Sequence, residues 1–425
     1  MHELVEKMKE YIFPAISTYY EEPIVLARGE GKYLYDEAGR QYLDFFGGIL
    51  TVSMGHCNPR ISDRVVEQVK TLQHTSTVYV TRPMVELAEQ IADIVPGKLR
   101  KCFFLNSGTE ADETAVLLST ICTGNDEIVA LRHAYSGRSA LAMALTAHAP
   151  WRQGRGLWAN VKHAHSPYCY RCAFGRTYPN CNLECAKDIE ELICTSTSGR
   201  IAAFIAEPIQ GVGGFITPPK EYFKEAVSII KKFGGLFIAD EVQTGWGRTG
   251  GKMFGIEHWD VEPDIMTFAK GLANGAPIGA VIATSEVADS WQGPSISTFG
   301  GNPVSMVAAQ ATLDLIIKKD IPAHAEKVGA RLREGLLGLQ EKYQCIGDVR
   351  GMGLMQAMEI VGDNKAPAPD VVLEVFERTK ALGLLIGKGG LYNNVIRLTP
   401  PMIITESDVD EAVEIFDKAF ASLQS

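Results

Sequence analysis

An α/β fold, with a large domain built on a mostly parallel sheet and a smaller α+β domain, is predicted by three features of this sequence. From about residue 100, short apolar runs (KCFFLNS, EIVALRH, IAAFIAEP, LFIADE, IMTFAKG, GAVIAT) alternate with longer helical stretches such as EADETAVLLSTICTG and EYFKEAVSIIKKFG. Short strands that are apolar on both faces and separated by helices indicate a parallel sheet covered on both sides. A chain of 425 residues also exceeds a single simple core and suits one large domain with a smaller companion. Finally, polar residues gather where the apolar runs stop: Asn106-Ser107-Gly108-Thr109, His133-Ala134-Tyr135, Glu207, Asp240-Glu241 and Lys270. Open α/β sheets bind ligands at the carboxyl ends of their strands.

Taken in order, residues 1–55 form an N-terminal segment that belongs with the smaller domain, 56–315 the large domain and 316–425 the C-terminal part of the smaller one. The N-terminal segment contains a hairpin-like alternation, KYLYDEAGRQYLDFF, with its turn at Gly39. After Pro303 the run VSMVAAQATLDLIIKK is helical and leads away from the sheet, and the remainder mixes helices with strands such as VIRLTPP. The net charge of −10, from 41 basic and 51 acidic residues, argues against nucleic acid or an anionic membrane as partner. An anionic ligand then has to be held by a few local groups. The start, MHELVEKMKEYIFPAI, mixes acids with bases and has no apolar h-region, so a cytoplasmic location is expected.

FFLNSGTEADETAVLL reads as strand, Ser-Gly-Thr turn and helix. Free N–H groups at a helix start, a glycine and a threonine hydroxyl suit a phosphate; an ordinary capped turn is the other reading. Lys270 follows an apolar run and sits among Phe268, Ala269, Gly271 and Leu272, a setting that lowers a lysine pKa and makes it a nucleophile toward carbonyls. A phosphate cradle, such a lysine, the aromatic plate of Tyr135 and an acid at a buried strand end together fit pyridoxal 5′-phosphate (PLP), whose pyridine nitrogen is kept protonated by an adjacent acid. Adjacent residues on a strand face opposite ways, so Asp240 and Glu241 cannot both take that place, and one of them is left a structural role.

The motifs NSGTEA, HAYSG, AEPIQG, IADEVQTGWGRTG, FAKGLANGAPIGAVI, TFGGNPV and IRLTPP resemble, over nearly the whole chain, the class III (ω-amino acid) aminotransferases of PLP-dependent transferase fold type I. The resemblance implies that Lys270 is the Schiff-base lysine and the proton carrier. It implies that Asp240 pairs with the pyridine nitrogen, Tyr135 and Val242 sandwich the ring, and Gln243 contacts the phenolic oxygen with Glu207 in support. Gly108 and Thr109 would hold the phosphate with Thr298 of a second subunit, which makes a homodimer or a dimer of dimers the expected assembly. Arg397 matches the arginine that binds the substrate carboxylate, a task suited to a guanidinium fork.

Relatives that use 2-oxoglutarate carry EPxQGE, whose glutamate can neutralise that arginine; here Val212 stands in its place. The expectation is therefore a small monocarboxylate acceptor such as pyruvate or glyoxylate, as in the similar alanine–glyoxylate and β-alanine–pyruvate branch. A 4-aminobutyrate or ornithine type, or a non-transaminating relative (aminomutase, decarboxylase, phospho-lyase), shares the same cofactor residues and stays open. The amino donor is not named by the sequence; Tyr19, Tyr20, Arg82 and Trp246 are candidate pocket residues.

Four of the nine cysteines, Cys169, Cys172, Cys181 and Cys185, form two close pairs. Two readings remain for them: a structural tetrahedral zinc site, or packed thiols without a metal.

Overall fold

The computed structural model describes residues 2–153 and 160–423. Its centre is a seven-stranded sheet in the order Leu99–Leu105, Gly279–Thr284, Ile265–Phe268, Leu236–Asp240, Ala203–Ala206, Ile128–Leu131, Val161–Ala164. Only Gly279–Thr284 runs against its two neighbours; the remaining pairs are parallel. The six apolar runs of the sequence are six of these strands. The seventh, Val161–Ala164, closes one edge and is less buried, which is why its Lys162 and His163 are tolerated.

Helices pack on both faces, and each boundary is set by local chemistry. Helix Gly108–Thr123 starts where the Ser107 hydroxyl accepts the Glu110 N–H, and it stops at Gly124, whose φ of 68° is the left-handed conformation glycine adopts without cost. Helix Pro303–Lys318 begins at Asn302, which accepts the Ser305 N–H at 2.9 Å. It is buried almost all round, as an apolar helix between layers should be.

Two smaller sheets complete the molecule. The N-terminal one orders Leu26–Glu30, Tyr33–Asp36, Gln41–Asp44 and Leu384–Leu385, with the last strand supplied from the far end of the chain. Gly39, at φ 81°, turns the hairpin between its second and third strands. The other is antiparallel, in the order Ile346–Met352, Met355–Ile360, Val395–Leu398, Gly387–Gly389. The Thr399 N–H donates to Phe45 O at 2.8 Å, so the two small sheets are tied together beside the large one.

A buried ionic cluster fastens the third sheet to the large sheet's loops. Arg350 donates to Glu359 at 2.7 Å, to the Tyr168 hydroxyl at 3.0 Å and to Gly214 O at 2.7 Å. Arg171 adds a second cation to Glu359. Paired in this way, Glu359 keeps its pKa below the usual range in spite of burial. Among the described residues no helix is long and apolar enough to cross a membrane.

The hairpin turn between Ile346–Met352 and Met355–Ile360 rests on the backbone of the large domain. Gly353 has φ 52°, and a Cβ there would lie 2.5 Å from Gly250 N and 2.7 Å from Arg248 O. Gly353→Ala is therefore expected to destabilise the protein by about 2 kcal/mol or more. A thermal melt would show a lower midpoint; an unchanged midpoint would contradict this packing.

Candidate active site

Lys270 sits two residues past the strand Ile265–Phe268 and opens the short 3-10 turn Lys270–Ala273 with φ 41°. A left-handed lysine costs energy and persists only where its surroundings hold it. The neighbouring strand Leu236–Asp240 delivers Asp240, and the helix start at Gly108 faces both. Between them lies a cavity of about 160 Å³ lined by Gly108, Thr109, Asp112, Tyr135, Asp240, Val242, Gln243 and Lys270. The strand ends thus bring Gly108, Thr109, Tyr135, Asp240, Val242, Gln243 and Lys270 to one place, with Glu207 one step behind Tyr135.

Charge in this cavity is tightly constrained. Glu207 accepts the Gly211 N–H at 2.7 Å and the Tyr135 N–H at 3.2 Å, which fixes the ring plate. Burial, then the charge of Asp240, still pushes Glu207 up to about 8. Asp240 is also raised by burial, although the Val242 N–H at 3.0 Å and the Lys270 ammonium favour its anion. Burial lowers the Lys270 pKa against the pull of Asp240, Glu207 and Asp112. The lysine is therefore more readily a neutral amine than a solvated one would be.

Glu241 points the other way, into packing. It accepts the N–H groups of Gly255 at 2.9 Å and Ile256 at 2.7 Å, and the Thr244 hydroxyl, so it caps the short turn Gly255–Trp259. Burial pushes its carboxyl up to about 7. The two acids that end the strand thus have separate partners on separate faces.

Arg397 lies buried on the strand Val395–Leu398, between the rings of Phe46 (5.5 Å) and Phe215 (5.6 Å). Its guanidinium donates to Lys388 O at 2.8 Å and Gly211 O at 3.3 Å, and among the described residues no carboxylate is in salt-bridge range. Burial lowers its pKa, opposed chiefly by the Tyr19 phenol. Gly389 is required beside it, because a Cβ there would stand 2.9 Å from Arg397 Cδ and Nε. Val212 is half-buried nearby, its carbonyl accepting the Gly390 N–H at 2.9 Å.

Other expected residues fall elsewhere. Thr298 is exposed, next to exposed Ile296 and Phe299, and is not in the cavity wall of its own chain. Tyr19 reaches Arg397 and packs 5.6 Å from Phe46, whereas Tyr20 packs on Phe376 at 5.8 Å. Trp246 is a core residue against Phe254 and Phe268, not a pocket wall. Arg82 is on the surface and pairs with Glu86.

The four clustered cysteines are free and share one small cavity, but among the described residues no three His, Cys, Asp or Glu side chains are placed to hold a metal. Burial first, and their mutual electrostatics next, push the Cys185 thiol up to about 12 and raise Cys169 as well. The zinc reading thus gains no ligand set among the described residues. Asp112, by contrast, went unassigned in the sequence although it lines the cavity. It stands one turn into the helix that Ser107 caps, and a carboxyl on the apolar face of that helix was the available signal.

The residues present fit PLP by their chemistry. The Gln243 Oε1 is buried without a partner, and Lys270 has no ion pair within salt-bridge distance among the described residues. The first N–H groups of helix Gly108–Thr123 have no intrahelical acceptor, and they open onto the cavity. A Cβ on Gly108 would meet Val242 Cγ1 at 3.2 Å, so glycine keeps the cradle open. An anion for the pyridine nitrogen, an amine for the aldehyde, an amide for the phenolic oxygen and a helix start for the phosphate are all in place.

The fold and the site define a PLP-dependent enzyme of fold type I. The chain matches the family Aminotransferase class-III over residues 16–420 and belongs to it. It is 43% identical to alanine–glyoxylate aminotransferase 2 homolog 2, mitochondrial, of Arabidopsis thaliana, across 99% of this chain and 87% of that one. It is 37% identical to alanine–glyoxylate aminotransferase 2, mitochondrial, of Homo sapiens, across 98% and 85%. An amine transaminase from an uncultivated Pseudomonas species, solved in its PLP-bound internal aldimine form, superposes with a TM-score of 0.90 at 30% identity, covering 97% of this chain and 98% of that one.

Asp240→Ala should leave PLP bound through the phosphate and Lys270, yet lower transamination by about 100-fold or more. Unchanged turnover in the variant would refute the role given to Asp240.

Proposed function

We propose that this aminotransferase takes an amino group from an ω-amino acid, an amine or alanine and passes it to a small monocarboxylic oxo acid such as pyruvate or glyoxylate. One observation carries the acceptor reading: Arg397 is a buried guanidinium with no carboxylate in salt-bridge range among the described residues, and Val212 occupies the place of the glutamate that could neutralise it. A buried cation in that state is satisfied by an incoming anion. The names of the Arabidopsis and human relatives point to the same acceptor class.

When bound, PLP supplies an aldehyde that captures amines and a ring that accepts electrons from the substrate carbon. The chain's own residues do the rest. Lys270, its pKa lowered by burial, is the base that takes the proton from the substrate carbon bearing the amino group and returns one at cofactor C4′. Asp240 holds the proton on the pyridine nitrogen, while Glu207 fixes Tyr135 through its backbone N–H. Arg397 orients the carboxylate of the acceptor, and of a donor that carries one; because the amino group stays with the enzyme between the two half-reactions, the kinetics are ping-pong.

The site is completed by a second copy in this reading. Thr298 lies on a face that exposes Ile296 (66%), Phe299 (62%), Val78 (63%), Tyr79 (67%) and Val80 (86%). The His74 ring packs, tilted, 5.2 Å from Phe299, which places both stretches on one surface. Exposed apolar area of this kind is normally covered, and a homodimer would bring the partner's Thr298 to the phosphate.

With one amino donor held constant, initial rates should be higher for pyruvate and glyoxylate than for 2-oxoglutarate; comparable turnover of 2-oxoglutarate would overturn the acceptor assignment. Val212→Glu should raise KM for pyruvate by about tenfold or more, because a carboxylate paired with Arg397 competes with the substrate. A pyruvate KM unaffected by the substitution would remove Val212 from the argument.

A further inference from the structure

Asp112 is a second carboxyl group at the cofactor cavity that the reaction as described does not use. It is 1% exposed, lies on helix Gly108–Thr123 and lines the same cavity as Asp240 and Lys270. Thr267 fixes its position. In the parallel ladder Thr267 is the register partner of Asp240, and its hydroxyl donates to Asp112 Oδ1 at 2.8 Å. The side chains of Asp240, Thr267 and Asp112 are therefore in mutual hydrogen-bonding contact.

Two buried carboxyl groups in contact cannot both be anions without a cation between them. Their surroundings decide which keeps the charge. Asp240 has the Val242 N–H at 3.0 Å and faces Lys270 most directly. Asp112 has only the Thr267 hydroxyl, and burial together with the Asp240 charge holds its pKa well above the usual carboxylate range. Glu207, the third carboxyl in the cavity, is occupied by two backbone N–H groups and gives Asp112 no proton acceptor of its own. Since Thr267 donates to Oδ1, Oδ2 is the oxygen left to carry the proton of Asp112.

We propose that Asp112 is a positioning residue present as a neutral carboxylic acid, which donates its O–H to the Asp240 carboxylate and so keeps Asp240 the anion that faces the pyridine nitrogen. The inference rests on the PLP reading of this site but not on the choice of acceptor. A donor to Asp240 weakens its hold on protons, so the shared proton stays on the ring nitrogen and the ring remains electron-accepting. Without that donor Asp240 competes for the proton and the ring drifts toward its neutral form.

The test compares Asp112→Asn and Asp112→Ala with the parent holoenzyme. The readouts are the pH titration of the visible PLP absorption band and the single-turnover rate with an amino donor alone. Asparagine is neutral and keeps a donor, so its band, its titration and its rate should stay within about threefold of the parent. Alanine removes the donor: its band should shift toward the neutral-pyridine form and its rate fall by about tenfold to a hundredfold, the range for a hydrogen bond to a charged group. An alanine variant with the parent's spectrum and rate would overturn the proposal. So would an asparagine variant that behaves like the alanine one, since that would mean Asp112 acts as an anion. Should the alanine variant fail to fold, the asparagine variant decides alone: a preserved titration supports the neutral acid and a shifted one refutes it. A parent protein that develops no visible band with PLP overturns the cofactor reading itself, and is distinguished from failure of Asp112 by that absence.

Discussion

Three carboxyl groups and one amine are buried at the end of a single sheet, and most of the site can be understood as the way their charges are made compatible. Asp112, Glu207 and Asp240 surround Lys270, and each carboxyl is pushed up by burial while the lysine is pushed down. Left to themselves, such groups neutralise by proton transfer rather than stay charged in a dry cavity. A cofactor with a cationic ring nitrogen and an anionic phosphate changes that balance. Bound as proposed, it would give Asp240 a counter-charge and occupy the free N–H groups at the start of the Gly108 helix.

The fold supplies this constellation because parallel strands end together. Residues separated widely along the chain, from Gly108 to Lys270, need only sit within a few positions of their strand ends to meet. The substrate recognition proposed for Arg397 comes from a different layer. Arg397 reaches the site from the C-terminal antiparallel sheet, across Phe46 from the N-terminal segment and Phe215 from a loop of the large domain. Three parts of the chain thus define where a carboxylate can bind. The Arg350–Glu359–Tyr168 cluster and its bond to Gly214 O hold the sheet against the loop that carries Val212.

Much of this was legible in the sequence, and the exceptions have physical causes. The strands that are apolar on both faces announced themselves, but Val161–Ala164 did not, because an edge strand that is only half-buried along most of its length accepts Lys162 and His163. The residues just past strand ends could be read as a site because strand polarity fixes where they go. Trp246 and Arg82 could not be placed, since whether a large side chain faces a pocket, the core or water depends on tertiary packing: one proved buried and the other exposed. The spacing of Cys169, Cys172, Cys181 and Cys185 did predict that they gather, but spacing alone could not say whether the gathered thiols form a ligand set. Asp112 escaped because a carboxyl in the first turns of a helix ordinarily faces solvent, and only its contact with Thr267 shows otherwise.

The central claim is that Lys270 is the amine poised to bind the PLP aldehyde. Borohydride reduction of the PLP-loaded protein, followed by peptide mapping by mass spectrometry, tests it most directly. The account predicts a single pyridoxyl adduct on Lys270, with loss of the visible band. An adduct spread over surface lysines, or none on Lys270, would contradict it.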